Sequence, residues 1–516
     1  MVGFRAGCTR LRLSWSISII LLLGYQLVTF QSDVYSAYGQ AKAGLSPQHE
    51  PMTAANATAS TTTSSPGSSI PYIGQIQEDL SWYSEKGITE ESLDRVEEYL
   101  LRHSDPGDVV RFHVRRRRLY ISFPNATVQD EFARRSYARR WQGMLALLAF
   151  SASGCGTAAG TEPSMPTPDL DGILYCGDGM PHDDDDDDNN DNSSSSFPLF
   201  GFQKKRQAPG ILVPYFLFWN ENLARMAHRM DHAGGGRRRG GGGWSGWDQK
   251  KDVLFWRGAT TGAQYTRDNW RDQARSRAVL ICRDMMRNNR GQQQRQEAPL
   301  CDVAFHKLVQ MDEDIHNVVL NETGGLKDGL PIHLQMQHKY LLSMDGNGPC
   351  SGRFEKFIAG SSAVFKVDSD HIEFYYVGLQ PNVHYLPVWS NLSNLPQQLQ
   401  WAHTHQTEVQ TMVRRMRDFS KSIYAEPVTE YVSQLLREYA QLLRWNVSNT
   451  STLQHRIVRP IYPKRIPPHR GFHWSDVGPA TCRGLFSNNP LAKGDPPFQK
   501  ATYLVVGKPI GKDPKT

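Results

Sequence analysis

The sequence predicts an α/β protein preceded by a membrane anchor and a stem, and three stretches carry the α/β prediction. Residues 339–358 give a short apolar strand, a glycine-rich turn and the start of a helix. Residues 170–178 give a buried strand that ends in Asp178, and residues 253–260 give a strand that ends at Arg257. Polar side chains at the ends of buried strands are typical of the ligand-binding edge of an open α/β sheet.

The N-terminal region predicts a membrane anchor at residues 13–30, which carry no charge. At about 1.5 Å per residue, a helix of this length spans roughly 27 Å, close to the thickness of a hydrocarbon core. Arg5, Arg10 and Arg12 precede it. The cytoplasmic tail is therefore expected to be residues 1–12, with the rest of the chain in the lumen. A cleaved signal peptide is the alternative.

A stem is predicted at residues 31–72, which are rich in Ser, Thr and Ala and poor in large apolar side chains. A lumenal position agrees with seven Asn-x-Ser/Thr sequons, at Asn56, Asn125, Asn192, Asn321, Asn391, Asn446 and Asn449. The C-terminal GKDPKT is not an ER-retention signal, which favours the Golgi over the ER.

Cysteine usage and charge narrow the class of protein. Of seven cysteines, Cys8 lies on the cytoplasmic side, and the others form an even lumenal set that is compatible with disulfides of undetermined pairing. No Cys/His cluster has zinc spacing. The net charge of +6 is concentrated in arginine-rich patches and a basic tail, so it does not indicate nucleic acid. The acidic run at 182–196 and the Gly/Arg run at 234–243 are interpreted as flexible insertions.

The stretch at 339–358 has the parts of an anion-binding turn. Gly346, Gly348 and Gly352 let the backbone approach a phosphate, and the following helix start offers N–H groups. Arg353 can form paired hydrogen bonds with phosphate oxygens. A turn without a ligand fits the spacing alone equally well.

Two further residues are candidates by position. Asp178 can accept a proton from an attacking hydroxyl if it stays ionised, although it can equally cap the next helix. Arg257, next to Gly258, can meet a diphosphate, and an arginine in a surface turn is the alternative.

The residues themselves favour a functional interpretation. The run DGNGPCSGRFEKFIAGSSAVFKV at 345–367, followed by EFYYVGLQPNVHYLPV at 373–388, resembles the Rumi-like protein O-glucosyltransferases and the fungal capsule-associated xylosyltransferases, which form glycosyltransferase family 90. The resemblance covers about residues 160–450 with interruptions.

This resemblance implies two Rossmann-like domains that face each other across a cleft, the GT-B type. The acceptor-side domain would be residues 73–250 and the nucleotide-sugar domain residues 251–450, followed by a basic, proline-rich tail at 451–516.

The resemblance also implies residue roles. Asp178, followed by Pro181, would be the catalytic base, although Gly179 and Met180 stand where the family has one aromatic or small residue. Asp345 and Glu373 would shape the sugar and nucleoside pocket. The donor-binding residues implied are Arg257, Gly258, Thr260, Asp345, Gly346, Ser351, Gly352, Arg353, Phe354 and Glu373.

The function implied is inverting transfer of xylose or glucose from UDP-xylose or UDP-glucose to a glycan, glycolipid or glycoprotein. Neither a metal nor another cofactor is expected, and nucleic acid is not an expected partner. The protein would be a single-pass type II protein of the Golgi or ER membrane, with its catalytic part in the lumen.

Two other functions remain open. A metal-dependent transferase would use an Asp-x-Asp motif, found at Asp169-Leu170-Asp171 and Asp312-Glu313-Asp314. A non-catalytic, membrane-tethered glycan-binding relative would bind sugar without releasing UDP.

Overall fold

The computed structural model describes residues 70–134, 138–154, 167–181, 197–215, 246–291, 300–349, 352–423, 426–448, 453 and 455–461. They fall into a smaller compact unit, residues 256–291 and 301–330, and a larger unit that holds the rest. The predicted anchor, most of the stem and both insertions lie outside the described residues. Within those residues, no helix has the length and apolar character needed to cross a bilayer. The predicted domain boundaries stay a prediction.

The chain mixes helices and strands throughout, as the α/β prediction requires. The α-helices of the described residues are α1 (Gly74–Ser81), α2 (Glu90–His103), α3 (Ala126–Arg134), α4 (Ala138–Ala152), α5 (Ala274–Gly291), α6 (His316–Thr323), α7 (Ile332–Gln335), α8 (Arg353–Ile358), α9 (Leu395–Thr404), α10 (Gln406–Ser422) and α11 (Glu426–Gln441).

The strands of the same residues are β1 (Val109–Arg115), β2 (Arg118–Phe123), β3 (Leu170–Tyr175), β4 (Leu199–Gly201), β5 (Lys204–Lys205), β6 (Ile211–Leu212), β7 (Lys251–Ala259), β8 (Leu300–Lys307), β9 (His338–Ser343), β10 (Ala363–Val367), β11 (His371–Ile372), β12 (Leu386–Val388) and β13 (Ile457–Pro460).

The first sheet lies in the larger unit and has the order β13-β2-β1-β3-β4-β6. Its strands β3, β4 and β6 are parallel, whereas β1 is antiparallel to both β2 and β3. The sheet is therefore mixed, which differs from the all-parallel sheet of a Rossmann domain. The antiparallel part arises because β1 and β2 form a hairpin whose turn residues, Arg116 and Arg117, have φ of 49° and 66°.

The four arginines at residues 115–118 predict a solvated strand edge, with an anion contact as the alternative. The prediction of a solvated edge is wrong for Arg115. Its side chain is 3% exposed, and its guanidinium lies 2.7 Å from the Asp171 carboxylate. Strand β3 covers one side of β1, and β13 covers the outer side of β2, so neither hairpin strand is an edge.

The first part of the predicted tail contains a strand. Residues 457–460 form β13, which pairs antiparallel with β2 from Ile457 opposite Phe123 to Pro460 opposite Tyr120. Long-range pairing of this kind leaves no local signal in a proline-rich, basic sequence. Residues 462–516 lie outside the described part of the chain.

The sequence predicts a helix at residues 90–103 capped by Thr89, and a second helix at residues 430–445 with an apolar stripe. Both helices are present, and their apolar faces are buried. Thr89 caps α2, since its side chain accepts a hydrogen bond from the backbone N–H of Ser92 at 3.2 Å. In α11, the predicted core positions Val432, Leu435, Leu436 and Tyr439 are buried. The Tyr439 hydroxyl donates to the carbonyl of Asp171 at 2.9 Å, so α11 packs on the first sheet.

The second sheet of the larger unit holds β12, β10, β9 and the start of β7, all parallel. It confirms the predicted strands near residues 340 and 363. The carboxyl ends of these strands share one edge, where ligands bind in open α/β sheets.

The smaller unit contains the end of β7 beside β8, together with α5 and α6. A disulfide joins Cys282 to Cys301. The sequence predicts a helix from Arg267 onwards, but helix α5 begins at Ala274. The reason is a turn in which the Asn269 side chain accepts a hydrogen bond from the Thr266 N–H at 2.9 Å.

Candidate functional site

Asp178 lies in a packed turn just beyond the carboxyl end of β3, and its side chain is half-buried. Gly179 has a φ of 84°, which a residue with a side chain rarely adopts. The Met180 side chain lies so close to Gly201 and Gly210 that an added Cβ would be 2.6 Å and 2.9 Å from it. Gly179 and Met180, the two departures from the family pattern, thus hold the Asp178 turn against the end of β4.

The end of β4 also meets the glycine-rich turn after β9. A Cβ on Gly348 would lie 2.4 Å from the amide nitrogen of Gln203, a buried side chain just beyond β4. Strands β5 and β11 pair beside this contact, and the Arg206 N–H donates to the carbonyl of Asp370 at 2.6 Å. Because β3 and β4 are parallel neighbours, the Asp178 turn and the glycine turn are both tied to the end of β4.

The predicted strand, glycine turn and helix are confirmed. The Gly346 N–H donates to the carbonyl of Gly348 at 3.2 Å, and Gly352 precedes α8 with a φ of 61°. Arg353 and Phe354 begin α8, and Asp345 is half-buried at the end of β9. The helix has only 6 residues, so its dipole adds little to anion binding. Ser351 lies outside the described residues.

Glu373 and Glu355 form a buried pair of carboxyls behind this turn, and both side chains are 0% exposed. Burial raises the pKa of Glu355 to about 7. Burial and the neighbouring Glu355 raise the pKa of Glu373 well above its usual value. Both shifts favour the protonated form of the carboxyl, because burial and a neighbouring like charge disfavour the carboxylate. Glu373 has no exposed surface and lies beside Glu355 of α8. Its predicted contact with the donor stays a prediction.

Substituting Glu355 with Gln should change how stability depends on pH. Between the ordinary pKa of about 4.3 and the native pKa, the native state holds more protons than the unfolded state, so the free energy of unfolding falls as pH rises. Because the native pKa of Glu355 is about 7, the free energy of unfolding stops falling near neutral pH. At about 1.4 kcal/mol per pKa unit, it is on the order of 3 kcal/mol.

Denaturant unfolding of the wild type and Glu355→Gln from pH 4 to 8 measures this difference. Glu98→Gln is the matched control, because the Glu98 side chain is 62% exposed and pairs with Arg102 at the surface. Equal pH slopes for the wild type and Glu355→Gln would contradict a raised native pKa at Glu355.

The structure places Arg257, Gly258 and Thr260 in the smaller unit, each with a structural role. The Arg257 Nη2 donates to both carboxylate oxygens of Asp302, at 2.8 Å and 2.7 Å. The Thr260 hydroxyl accepts from the N–H of Val309 at 2.7 Å. A Cβ on Gly258 would lie 2.2 Å from the ring of Trp256. Their donor-binding role stays a prediction.

The two Asp-x-Asp triplets have partners that account for their carboxylates. Asp171 lies 2.7 Å from Arg115, and Asp169 accepts from the N–H of Arg116 at 2.8 Å. Asp312 accepts from Gln264 at 2.8 Å, and Asp314 pairs with Arg267 at 2.8 Å. In the described part of the chain, no group of three or more His, Cys, Asp or Glu side chains could hold a metal ion.

Asp171, His113 and Ser122 have the order of a Ser-His-Asp triad. His113 Nδ1 lies 2.7 Å from Asp171, and His113 Nε2 lies 2.8 Å from the Ser122 hydroxyl. All three side chains are buried, however, and Arg456 Nε donates to the Ser122 oxygen at 2.8 Å. No substrate reaches this serine, so the set is a structural hydrogen-bond chain within the first sheet.

Comparison with known protein families identifies the family of this chain. Residues 65–459 match the sequence profile described as glycosyl transferase family 90. The chain belongs to this family. The matched region includes both sheets, the Asp178 turn and the glycine turn.

Relatives of this family 90 protein carry the name protein O-glucosyltransferase. It is 29% identical to protein O-glucosyltransferase 2 of Danio rerio over 197 residues, which are 38% of this chain and 34% of that protein. It is 25% identical to protein O-glucosyltransferase 1 of Homo sapiens over 262 residues, 49% of this chain and 59% of that protein. The chain thus spans between about a third and three fifths of these relatives.

Sequence reasoning missed two residues that shape this family 90 site. Gln203 lies in the stretch FPLFGFQKK at residues 197–205, whose pattern marks no binding residue, yet its amide nitrogen lies against Gly348. Glu355 lies inside the run at 345–367. A charged residue within an apolar helix start was the available signal for Glu355, since such a side chain is buried only with a partner.

Proposed function

We propose that this family 90 member transfers glucose or xylose from a UDP-sugar to a hydroxyl group of a glycan, glycolipid or glycoprotein, with inversion. The observation that carries the proposal is the contact between Gly348 and Gln203. Through it, the glycine turn of the second sheet lies at the end of β4, next to the strand that leads to Asp178. A two-domain arrangement of the GT-B type, with donor and base at the facing strand ends, would produce such a contact.

In the proposed reaction, Asp178 accepts the proton of the acceptor hydroxyl as its oxygen attacks the anomeric carbon. The bond from that carbon to the phosphate oxygen breaks, and UDP leaves with the electron pair. One displacement turns an α-linked donor into a β-linked product. Arg353 and the backbone N–H groups of the glycine turn would stabilise the leaving diphosphate.

The names of the relatives support glucose as the sugar, and the likeness to capsule-associated xylosyltransferases keeps xylose as the alternative. Two other functions stay open. One is a metal-dependent transferase that uses an Asp-x-Asp motif. The other is a non-catalytic glycan-binding relative.

We also propose that the protein resides in the Golgi or ER membrane through the segment at 13–30, with its catalytic part in the lumen. Asn125, Asn321, Asn391 and Asn446, the sequon asparagines within the described residues, are all exposed. The disulfide between Cys282 and Cys301 suits an oxidising compartment. Both observations support a secretory location.

Release of UDP by the purified protein tests the proposed function. UDP-glucose and UDP-xylose are offered separately, with and without a chelator, and slow donor hydrolysis serves as the readout before an acceptor is known. We expect release that is selective for one donor and persists in the chelator.

Each alternative predicts a different result in the same assay. Loss of release in the chelator, and its return with an added divalent cation, would favour the metal-dependent transferase. Donor or glycan binding without release would favour the non-catalytic relative.

A further inference from the structure

Lys366 lies at the ligand edge of the second sheet, although nothing in the sequence pattern marked it. It is the penultimate residue of β10, and its Cα pairs with that of Ser343, the last residue of β9. Met344, Asp345 and the glycine turn follow Ser343 in the chain. The lysine thus stands beside the glycine turn, at the carboxyl ends of two adjacent parallel strands.

Among the residues that the structure describes, the ammonium group of Lys366 has no close counter-ion. The residue is 8% exposed, and among the described residues no carboxylate oxygen lies within 4.0 Å of its Nζ. Its Nζ lies over two aromatic rings instead, 4.6 Å from the centroid of Tyr376 and 5.6 Å from that of Phe354. These contacts offset part of the cost of burying a charge, and a lysine is rarely buried without a partner.

The charged side chains around Lys366 do not replace a directly bound anion. Asp345, Asp368 and Glu373 act on Lys366 at longer range, while Arg206 repels it. Burial lowers the pKa of Lys366, although these three acidic side chains act to raise it. Burial and the neighbouring Glu355 raise the pKa of Glu373 well above its usual value, which disfavours its charged form. An anionic ligand bound at this edge of the sheet would give the Lys366 ammonium group a direct counter-ion.

We propose that Lys366 binds a phosphoryl oxygen of the donor diphosphate, an assignment that rests on the proposed function. The rings of Phe354 and Tyr376 hold the ammonium in place before the donor arrives. Lysine acts as a compact point charge on phosphate, whereas Arg353, at the start of α8, can form paired hydrogen bonds. Lys366 is thus a donor-binding residue whose contribution depends on the phosphates and not on the nucleoside.

Binding of UDP and uridine to the full-length protein tests this assignment. UDP affinity is measured by calorimetry and uridine affinity by competition, for the wild type, Lys366→Met and Lys366→Arg. Loss of a charge-assisted hydrogen bond should weaken UDP binding about tenfold to hundredfold in Lys366→Met. Uridine binding should change less than about twofold, since uridine lacks phosphate.

Lys339→Met is the matched control. Lys339 lies near the amino end of β9, where it pairs with Asp252 at 3.0 Å, so its loss should leave both affinities unchanged. If Lys366→Met does not fold, Lys366→Arg still decides the question, because its larger head group should alter UDP affinity and spare uridine.

The outcomes separate the two proposals. Equal loss of UDP and uridine affinity, or no loss of either, would overturn the role of Lys366 and leave the proposed function intact. A wild-type protein that binds no UDP would overturn both.

Discussion

Substitution of Asp178 with Asn lowers donor-dependent UDP release by about 10²- to 10⁴-fold if this carboxylate is the general base. Asn keeps the size of the side chain but cannot take the proton of the attacking hydroxyl or water. The Asp178 turn is fixed by Met180 against Gly201 and Gly210, so the substitution should leave the fold unchanged. Steady-state release at saturating donor, together with UDP affinity, measures the effect, and affinity should change little.

Asp169→Asn is the matched control for this experiment. Asp169 precedes β3 at its amino end, whereas Asp178 follows the carboxyl end of the same strand. An amide oxygen can still accept the hydrogen bond from the N–H of Arg116, so release should stay near the wild-type level. Unchanged release in Asp178→Asn would mean that the base lies elsewhere, and loss in Asp169→Asn alone would favour the Asp-x-Asp alternative.

Substitution of Asp171 with Asn should destabilise the protein by about 3–5 kcal/mol, because it leaves Arg115 buried without its counter-charge. Burial alone would raise the pKa of Asp171, but the charges and hydrogen bonds of His113 and Arg115 outweigh burial and hold the pKa well below its usual range. Arg115 is the permanent cation of this group, because a guanidinium stays charged and its side chain is only 3% exposed. Denaturant unfolding at pH 7 measures the loss.

The same substitution should reduce sensitivity to acid. The depressed pKa of Asp171 contributes stability above the unfolded pKa of about 3.9 that is lost as pH falls through the lower native value. Asp94→Asn is the matched control, since Asp94 pairs with Arg111 but its side chain is 60% exposed, and it should cost less than about 1 kcal/mol. Equal costs for the two variants would contradict a buried charge pair at Asp171.

Local sequence signals were sufficient where a structure is built from neighbouring residues. The strand at 338–343, the turn through Gly348 and the start of α8 follow one another in the chain, and each has its own pattern of apolar or glycine residues. The cap of α2 at Thr89 and the buried stripe of α11 are equally local. These elements were predicted because their stabilising contacts lie within a few positions.

Pairings between distant residues could not be predicted in this way. The sequence around Arg257 fits a diphosphate contact and a surface turn equally, and only the folded chain shows Asp302 beside it. Arg115 looked solvated because its partner, Asp171, lies on another strand. Gln203 belongs to the candidate site only because Gly348, in the turn that follows β9 of the other sheet, lies against it.

The position of β13 has a consequence for the order in which the chain can fold during synthesis. Its neighbour Arg456 donates to Ser122, which stands 334 positions earlier. Until the ribosome has produced this late segment, β2 keeps an unpaired edge, and such edges invite pairing with other chains. The first sheet therefore cannot be completed as an early, independent folding unit. Nascent chains would depend on chaperones to shield that edge while the second sheet is being made.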